Sequence, residues 1–367
     1  MDNSGQVKYI FCMSKYWSTT VKNIKPYTPG EQPKDKKYIK LNTNENPYPP
    51  SPRVIEAIRQ VTDESLRLYP DPVCDLLRET IAAYYKVKKE QVFAGNGSDE
   101  LLAFAYLAFF EPAEKPILFA EITYSFYPVY ATLFKTKYKL IAVDDEFNVP
   151  AEGYYQENGG IIIANSNAPT GRGVPLKTIK TILGQNKDSV VIIDEAYIDF
   201  GGESAVGLID EYPNLLVIQT MSKSRALAGL RIGYAIGSEG LIEAITRIKD
   251  SVNSYTLDRL ALAGAVAAIK DDAYFQKTRT KIIQTRERIS NRLTEIGFKV
   301  IPSQANFIFI SYPQYPGSAL FQQLREKDIL VRYFNKPKID NFLRVTIGTD
   351  VEMDKFLKTI AAIVAKR

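Results

Sequence analysis

The chain has 367 residues, 45% of them apolar and 24% charged, and a formal net charge of +5. This composition fits an ordinary globular protein with one large domain and a smaller one, and its interspersed charges give no footprint for nucleic acid while leaving small anionic substrates open. Histidine is absent, which excludes Ser-His-Asp and Cys-His catalysis and argues against a zinc site.

Residues 1–11 lack the basic start and long apolar stretch of a signal peptide, and Met13 offers an alternative start that would leave the first dozen residues as an extension. Cys12 and Cys74 are the only cysteines, too few for a disulfide framework, so a cytoplasmic setting is expected. No apolar run approaches the roughly 20 residues a membrane span needs. Residues 15–40 are polar and Pro-containing and read as an extended arm whose most conspicuous residue is Tyr27. A short strand at 38–41 leads into the turn-rich loop 42–50. Ser51 and Pro52 then open a helix over 53–62, and a second amphipathic helix spans 74–85.

From 91 to 236 the pattern repeats. Short β-branched runs at 92–94, 117–120, 138–143, 161–164, 190–193, 215–218 and 232–236 alternate with helical or loop stretches, including an apolar helix at 101–110. Continuous apolar strands of this kind predict a mainly parallel sheet covered on both faces, with ligands just beyond the strands' carboxyl ends. A long helical region over 241–296 follows, interrupted near 251–255 and 271–272. Strands at 298–301, 307–310, 330–332 and 342–346, with helices at 318–327 and 351–365, complete a smaller α/β unit. The expected division is a large domain over 41–284, with 1–40 and 285–367 forming an N-terminal arm and a small domain.

The polar clusters fall at the ends of the apolar runs. Residues 222–231, Ser-Lys-Ser-Arg-Ala-Leu-Ala-Gly-Leu-Arg, lie between two predicted core strands. Two cations there are costly without an anionic or electrophilic ligand. A lysine amine forms Schiff bases with carbonyl groups and a guanidinium suits phosphate, so Lys223 and Arg231 suggest an aldehyde that also carries a phosphate, such as pyridoxal phosphate. The stretch alone equally fits a solvated basic loop. Gly95-Asn-Gly-Ser-Asp-Glu100 can place an anion at a helix start or simply cap it. Tyr124 follows a strand where an aromatic ring either stacks on a planar cofactor or packs. Asp194 ends an apolar strand and needs a partner; a pyridinium nitrogen is one, and a Walker B magnesium role lacks its Gly-x-x-x-x-Gly-Lys-[Ser/Thr] counterpart. Tyr197 is close enough in sequence to share the site.

Taken in order, Asn44-Glu-Asn-Pro47, Tyr69-Pro-Asp71, Gly97-Ser-Asp-Glu100, Asn167-Ala-Pro-Thr-Gly171, Asp194-Glu-Ala-Tyr197, Ser222-Lys223, Ala228-Gly-Leu-Arg-Ile-Gly-Tyr234 and Leu343-Arg-Val-Thr-Ile-Gly348 resemble the blocks of the fold-type I aminotransferases, and among them the histidinol-phosphate branch. That resemblance implies an α/β fold-type I architecture, pyridoxal 5'-phosphate as cofactor, no metal, and transamination between glutamate and imidazole-acetol phosphate in histidine biosynthesis. It implies Lys223 as the covalent anchor and proton shuttle, Asp194 on the pyridinium nitrogen, Asn167 and Tyr197 on the phenolic oxygen, and Tyr124 stacked on the ring. Ser98, Asp99, Ser222 and Arg231 would surround the phosphate, with Tyr69 reaching in from the second subunit of a homodimer. Tyr27, Asn46, Asn306, Arg332 and Arg344 would bind substrate.

Three positions depart from the family pattern. Ser166 and Ala168 replace a Pro and an Asn in the usual Asn-Pro-Asn-Asn-Pro-Thr-Gly, which leaves Asn167 as the amide beside the turn. Arg225 stands where an apolar residue is common, either as a cation near Lys223 or pointing to solvent. Pro49 replaces a usual Gly. Two further activities share these blocks: aromatic amino-acid transamination and threonine-phosphate decarboxylation. A cofactor-binding regulator without activity is the non-enzymatic alternative.

Overall fold

The structure, a computed structural model, describes residues 14–112 and 115–365. Cys12, the alternative start at Met13 and the segment before them lie outside the described residues. In chain order the strands are β1 (Ile39–Lys40), β2 (Val92–Gly95), β3 (Ile117–Ala120), β4 (Tyr138–Ile141), β5 (Gly160–Ala164), β6 (Val191–Asp194) and β7 (Leu215–Thr220). They continue with β8 (Gly233–Gly237), β9 (Lys299–Ile301), β10 (Phe307–Ser311), β11 (Ile329–Leu330), β12 (Arg332–Tyr333) and β13 (Leu343–Thr346).

The large sheet has the order β2-β8-β7-β6-β5-β3-β4. Every residue of β5, β6 and β7 is buried, as continuous Ile, Val and Leu runs demand when helices cover both faces. Neighbouring strands from β4 through β7 pair in parallel, whereas β8 runs antiparallel to both β7 and β2. Burial periodicity does not distinguish the two directions. The connection does: residues 221–232 hold one short turn, Ala228–Leu230, and no helix of the length a parallel crossover requires.

The helical region predicted over 241–296 is three helices, Glu239–Val252, Arg259–Lys270 and Asp272–Ile296. Asp258 restarts the chain as a helix cap, its carboxylate accepting from the Ala261 amide. The smaller sheet, β12-β13-β10-β9, is antiparallel and packs on helices that include Asp350–Val364 around Phe307, Leu343 and Phe356. The arm contains a short helix, Thr19–Asn23, capped by Ser18, where the sequence reads as extended. Beyond it, β1 pairs in parallel with β11, so the end of the arm is stitched to the smaller unit. The run predicted at 330–332 is therefore divided: β11 serves the arm and β12 the small sheet.

Candidate active site

The carboxyl ends of β5, β6 and β7 open into a cavity of about 560 Å³ whose far wall is built by the arm, β12 and β13. At its floor, β6 ends on Asp194, 5% exposed. Its Oδ2 accepts from the Tyr127 hydroxyl at 2.7 Å and its Oδ1 from the Ala196 amide at 3.3 Å. Burial pushes this carboxyl up to about 6, against the pull of those two donors. No cation is paired with it among the described residues, so the site holds an anion waiting for a positive partner.

One side of the floor is a cradle of backbone amides. The helix Gly97–Phe109 begins beside Arg231, whose Nη2 lies 3.5 Å from Asp99 Oδ2. A Cβ on Gly97 (φ +80°) would sit 2.7 Å from that guanidinium, and one on Gly233 would sit 2.5 Å from the Ser98 nitrogen. The close approach of loop and helix therefore requires both glycines. Ser222 is buried, its hydroxyl accepting from Thr220 Oγ1. Free amides at a helix start, a serine hydroxyl and a guanidinium form an anion site. Above it, the Tyr124 hydroxyl donates to Asp99 Oδ1 at 3.0 Å.

Lys223 leaves the end of β7 with its Nζ 5.8 Å from the centroid of the Tyr197 ring and 3.5 Å from the Thr43 carbonyl. The Tyr197 hydroxyl accepts from Asn44 Nδ2 at 2.9 Å, which leaves its own proton free to point into the cavity. Asn44 is in turn fixed by Thr346, whose Oγ1 donates to Asn44 Oδ1 and accepts from the Asn44 amide. The Glu45 carboxylate faces the same space. Burial would raise it, but bonds from Lys40 and Thr43 hold it below the usual range.

At the mouth, Tyr27 stacks on Phe126 at 4.5 Å. Arg332 donates to the Thr28 and Pro29 carbonyls, and Arg344 donates from Nη2 to the Asn42 carbonyl at 2.9 Å. Arg344 Nε is buried without a partner among the described residues, and burial lowers the guanidinium from its usual value. A buried guanidinium with a spare donor and no carboxylate is built to receive one from outside the protein.

Eleven of the residues expected at the site line this cavity: Tyr27, Ser98, Asp99, Tyr124, Asp194, Tyr197, Ser222, Lys223, Arg231, Arg332 and Arg344. Four are not brought to it. The Asn167 amide is spent on the Ile122 carbonyl, Thr170 and Thr123, and its neighbour Ala168 lines the cavity instead. Asn46 clamps the Lys223 and Ser224 carbonyls from outside. Asn306, fully buried, donates to the Asn44 carbonyl and supports the site from behind. Tyr69 is 79% exposed and stacks on Tyr255 at 4.5 Å, away from the cavity of its own chain. Arg225 faces neither Lys223 nor solvent: its guanidinium lies 3.6 Å from the Phe275 ring centroid and donates to the Ala268 carbonyl. Sequence reasoning missed Tyr127, Asn44 and Thr43. Asn44 opens the Asn44-Glu-Asn-Pro47 segment, and only the three-dimensional path of the loop separates its role from that of Asn46.

Among the described residues no helix is long and apolar enough to cross a membrane, and no group of three or more Cys, Asp or Glu side chains is placed to hold a metal ion.

An α/β sheet with a lysine, a buried aspartate and an amide cradle at its strand ends defines a class, and the chain belongs to the class I and II aminotransferase family, whose model matches residues 36–360. Within that family it is similar to the histidinol-phosphate aminotransferase of Clostridium acetobutylicum, 60% identical over 96% of this chain and 100% of that one. The enzyme of the same name from Clostridium beijerinckii is 54% identical over 96% and 98%. Among solved structures, a histidinol-phosphate aminotransferase from Clostridium acetobutylicum superposes with a TM-score of 0.82 at 26% identity, covering 90% of this chain and 100% of that one. The Sinorhizobium meliloti protein of that name, in complex with pyridoxal-5'-phosphate, shares the fold with a TM-score of 0.86 at 21% identity over 97% and 99%.

Proposed function

We propose that the chain transfers an amino group between glutamate and imidazole-acetol phosphate, yielding L-histidinol phosphate and 2-oxoglutarate in histidine biosynthesis, with pyridoxal 5'-phosphate as cofactor. The observation that carries this reading is one cavity lined together by Lys223, an unpaired buried carboxylate and an anion cradle. The residues fit the cofactor: Asp194 lacks a cation that a pyridinium nitrogen supplies, and Ser98, Ser222 and Arg231 suit its phosphate. When bound, the cofactor supplies an electron sink for the substrate's Cα.

The protein's own groups do the rest. Lys223 would hold the cofactor through its amine, and it is the base placed to move a proton to and from the substrate's Cα. Asp194 keeps the ring nitrogen protonated. Tyr197, with Asn44 behind it, would donate its hydroxyl proton to the cofactor's phenolic oxygen, and Tyr124 would cover its ring. Arg344 forks onto the anionic end of either substrate, with Arg332 and Tyr27 closing the mouth.

Two chains assemble as a homodimer in the cytoplasm, each lending Tyr69 to the other's cofactor phosphate. The exposed apolar group Leu66, Leu68, Tyr69, Val73 and Leu76 supports this. We divide the chain into a large domain, 41–284, and an arm with small domain, 1–40 and 285–367.

The test is to give the purified protein histidinol phosphate, phenylalanine and threonine phosphate separately. Glutamate formation from 2-oxoglutarate with histidinol phosphate is expected. Preferential turnover of phenylalanine, or carbon dioxide release from threonine phosphate, would replace this reading with another.

A further inference from the structure

The loop from Phe334 to Ile339, between β12 and β13, crosses the cavity mouth and is held at both ends. The Phe334 ring centroid lies 5.6 Å from each of the Arg332 and Arg344 guanidinium carbons. At the other end Lys338 pairs with Glu121, and Ile339 is buried in a cluster with Ile122 and Phe309. Between these anchors Lys336 is exposed and lines the cavity, and its ammonium has no partner among the described residues. It differs in this from Arg231 and Lys338, which have carboxylates, and from Arg332 and Arg344, which have carbonyls.

The two substrates in the proposed reaction carry different anions at the end away from the reacting carbon. A carboxylate is satisfied by one guanidinium fork. A phosphate monoester carries a charge of about −1.5 to −2 near neutral pH on three acceptor oxygens, so one fork leaves an oxygen and nearly a full charge unmatched. A flexible ammonium with three rotatable donors suits that remainder. We infer that Lys336 is a specificity-determining residue, which closes on the outer oxygen of the substrate's phosphate ester and discriminates it from a carboxylate. The inference rests on the transaminase reading.

The experiment compares wild type, Lys336→Gln and Lys336→Arg, all loaded with cofactor. Steady-state KM is measured for histidinol phosphate and for glutamate, and the affinity for histidinol phosphate is measured by calorimetry. In Lys336→Gln the ratio of the phosphate-ester KM to the glutamate KM is expected to rise about three- to tenfold, with a parallel loss of calorimetric affinity, as removal of a rim charge predicts. Lys336→Arg restores most of the ratio. Added salt narrows the gap between wild type and Lys336→Gln, because the lost term is electrostatic. An unmoved ratio, or both KM values rising together, overturns the inference. If wild type turns over phenylalanine but not histidinol phosphate, the transaminase reading for this substrate falls first and takes the inference with it.

Discussion

The floor of the cavity and its mouth hold their charged groups by different partners. On the floor, side chains fix the charged groups: Arg231 faces Asp99, and Asp194, which has no cation, is bonded by the Tyr127 hydroxyl. At the mouth, Arg332 and Arg344 are held by the backbone carbonyls of Thr28, Pro29 and Asn42, with no carboxylate in the pairing. A carbonyl dipole fixes a guanidinium without neutralising it. The floor is thus set up to hold one ligand in one pose, while the mouth keeps a standing positive charge for whichever anion arrives. A transaminase needs this difference, because one cofactor must meet two substrates in alternation.

The largest effect is expected at the floor. Lys223→Ala is expected to reduce transamination by on the order of 10³-fold or more, measured as glutamate formation from histidinol phosphate and 2-oxoglutarate. Retained turnover would mean that the floor does not perform the chemistry. At the mouth, Arg344→Lys keeps the charge but loses the fork, so kcat/KM should fall about 10- to 100-fold for glutamate and histidinol phosphate alike. A loss confined to one substrate would show that the mouth is not shared.

Beneath the floor, Glu195 is buried and bonded by Ser204, Ala205 and Gln219. Burial nevertheless pushes it up to about 7. Its folded value exceeds its unfolded one, so the folded protein binds the extra proton and loses stability as pH rises from about 4.5 to about 7. In the cofactor-free protein, followed by thermal unfolding, Glu195 should account for about 3 kcal/mol of the stability lost across that window, so Glu195→Gln should reduce the slope and leave the part that Asp194 contributes. The smallest effect belongs to the exposed Lys338–Glu121 pair at the rim. Glu121→Gln should cost less than about 1 kcal/mol in thermal unfolding, and a larger loss would mean that the rim bears structural load.

The two regions were also unequally legible in the sequence. The floor residues sit at the ends of continuous apolar strands, so Asp194 and Lys223 are marked by a change of character at one position. The helix start at Gly97 is marked by its glycines. The mouth is assembled from three distant segments, and its asparagines follow no periodicity. Asn46 and Asn306 look like binding residues because they are polar and lie beside the right blocks, yet each spends its amide on a backbone carbonyl. Asn167 is turned from the cavity for a similar reason: Thr123, Thr170 and the Ile122 carbonyl hold its amide, and no local pattern announces those partners. The antiparallel β8 was legible in principle, from the missing crossover helix rather than from the strand itself.

The pairing of β1 with β11 joins Ile39 to Ile329, and Glu31 to Arg325 extends the same seam. In sequence the arm precedes the large sheet and its seat follows it. The large sheet can form while the arm is still untethered, and such sequence-distant parallel pairing is slow to close. Closing the wall that carries Tyr27 therefore takes a contact across most of the chain, from Ile39 to Ile329, whereas the floor is drawn from residues closer together in sequence.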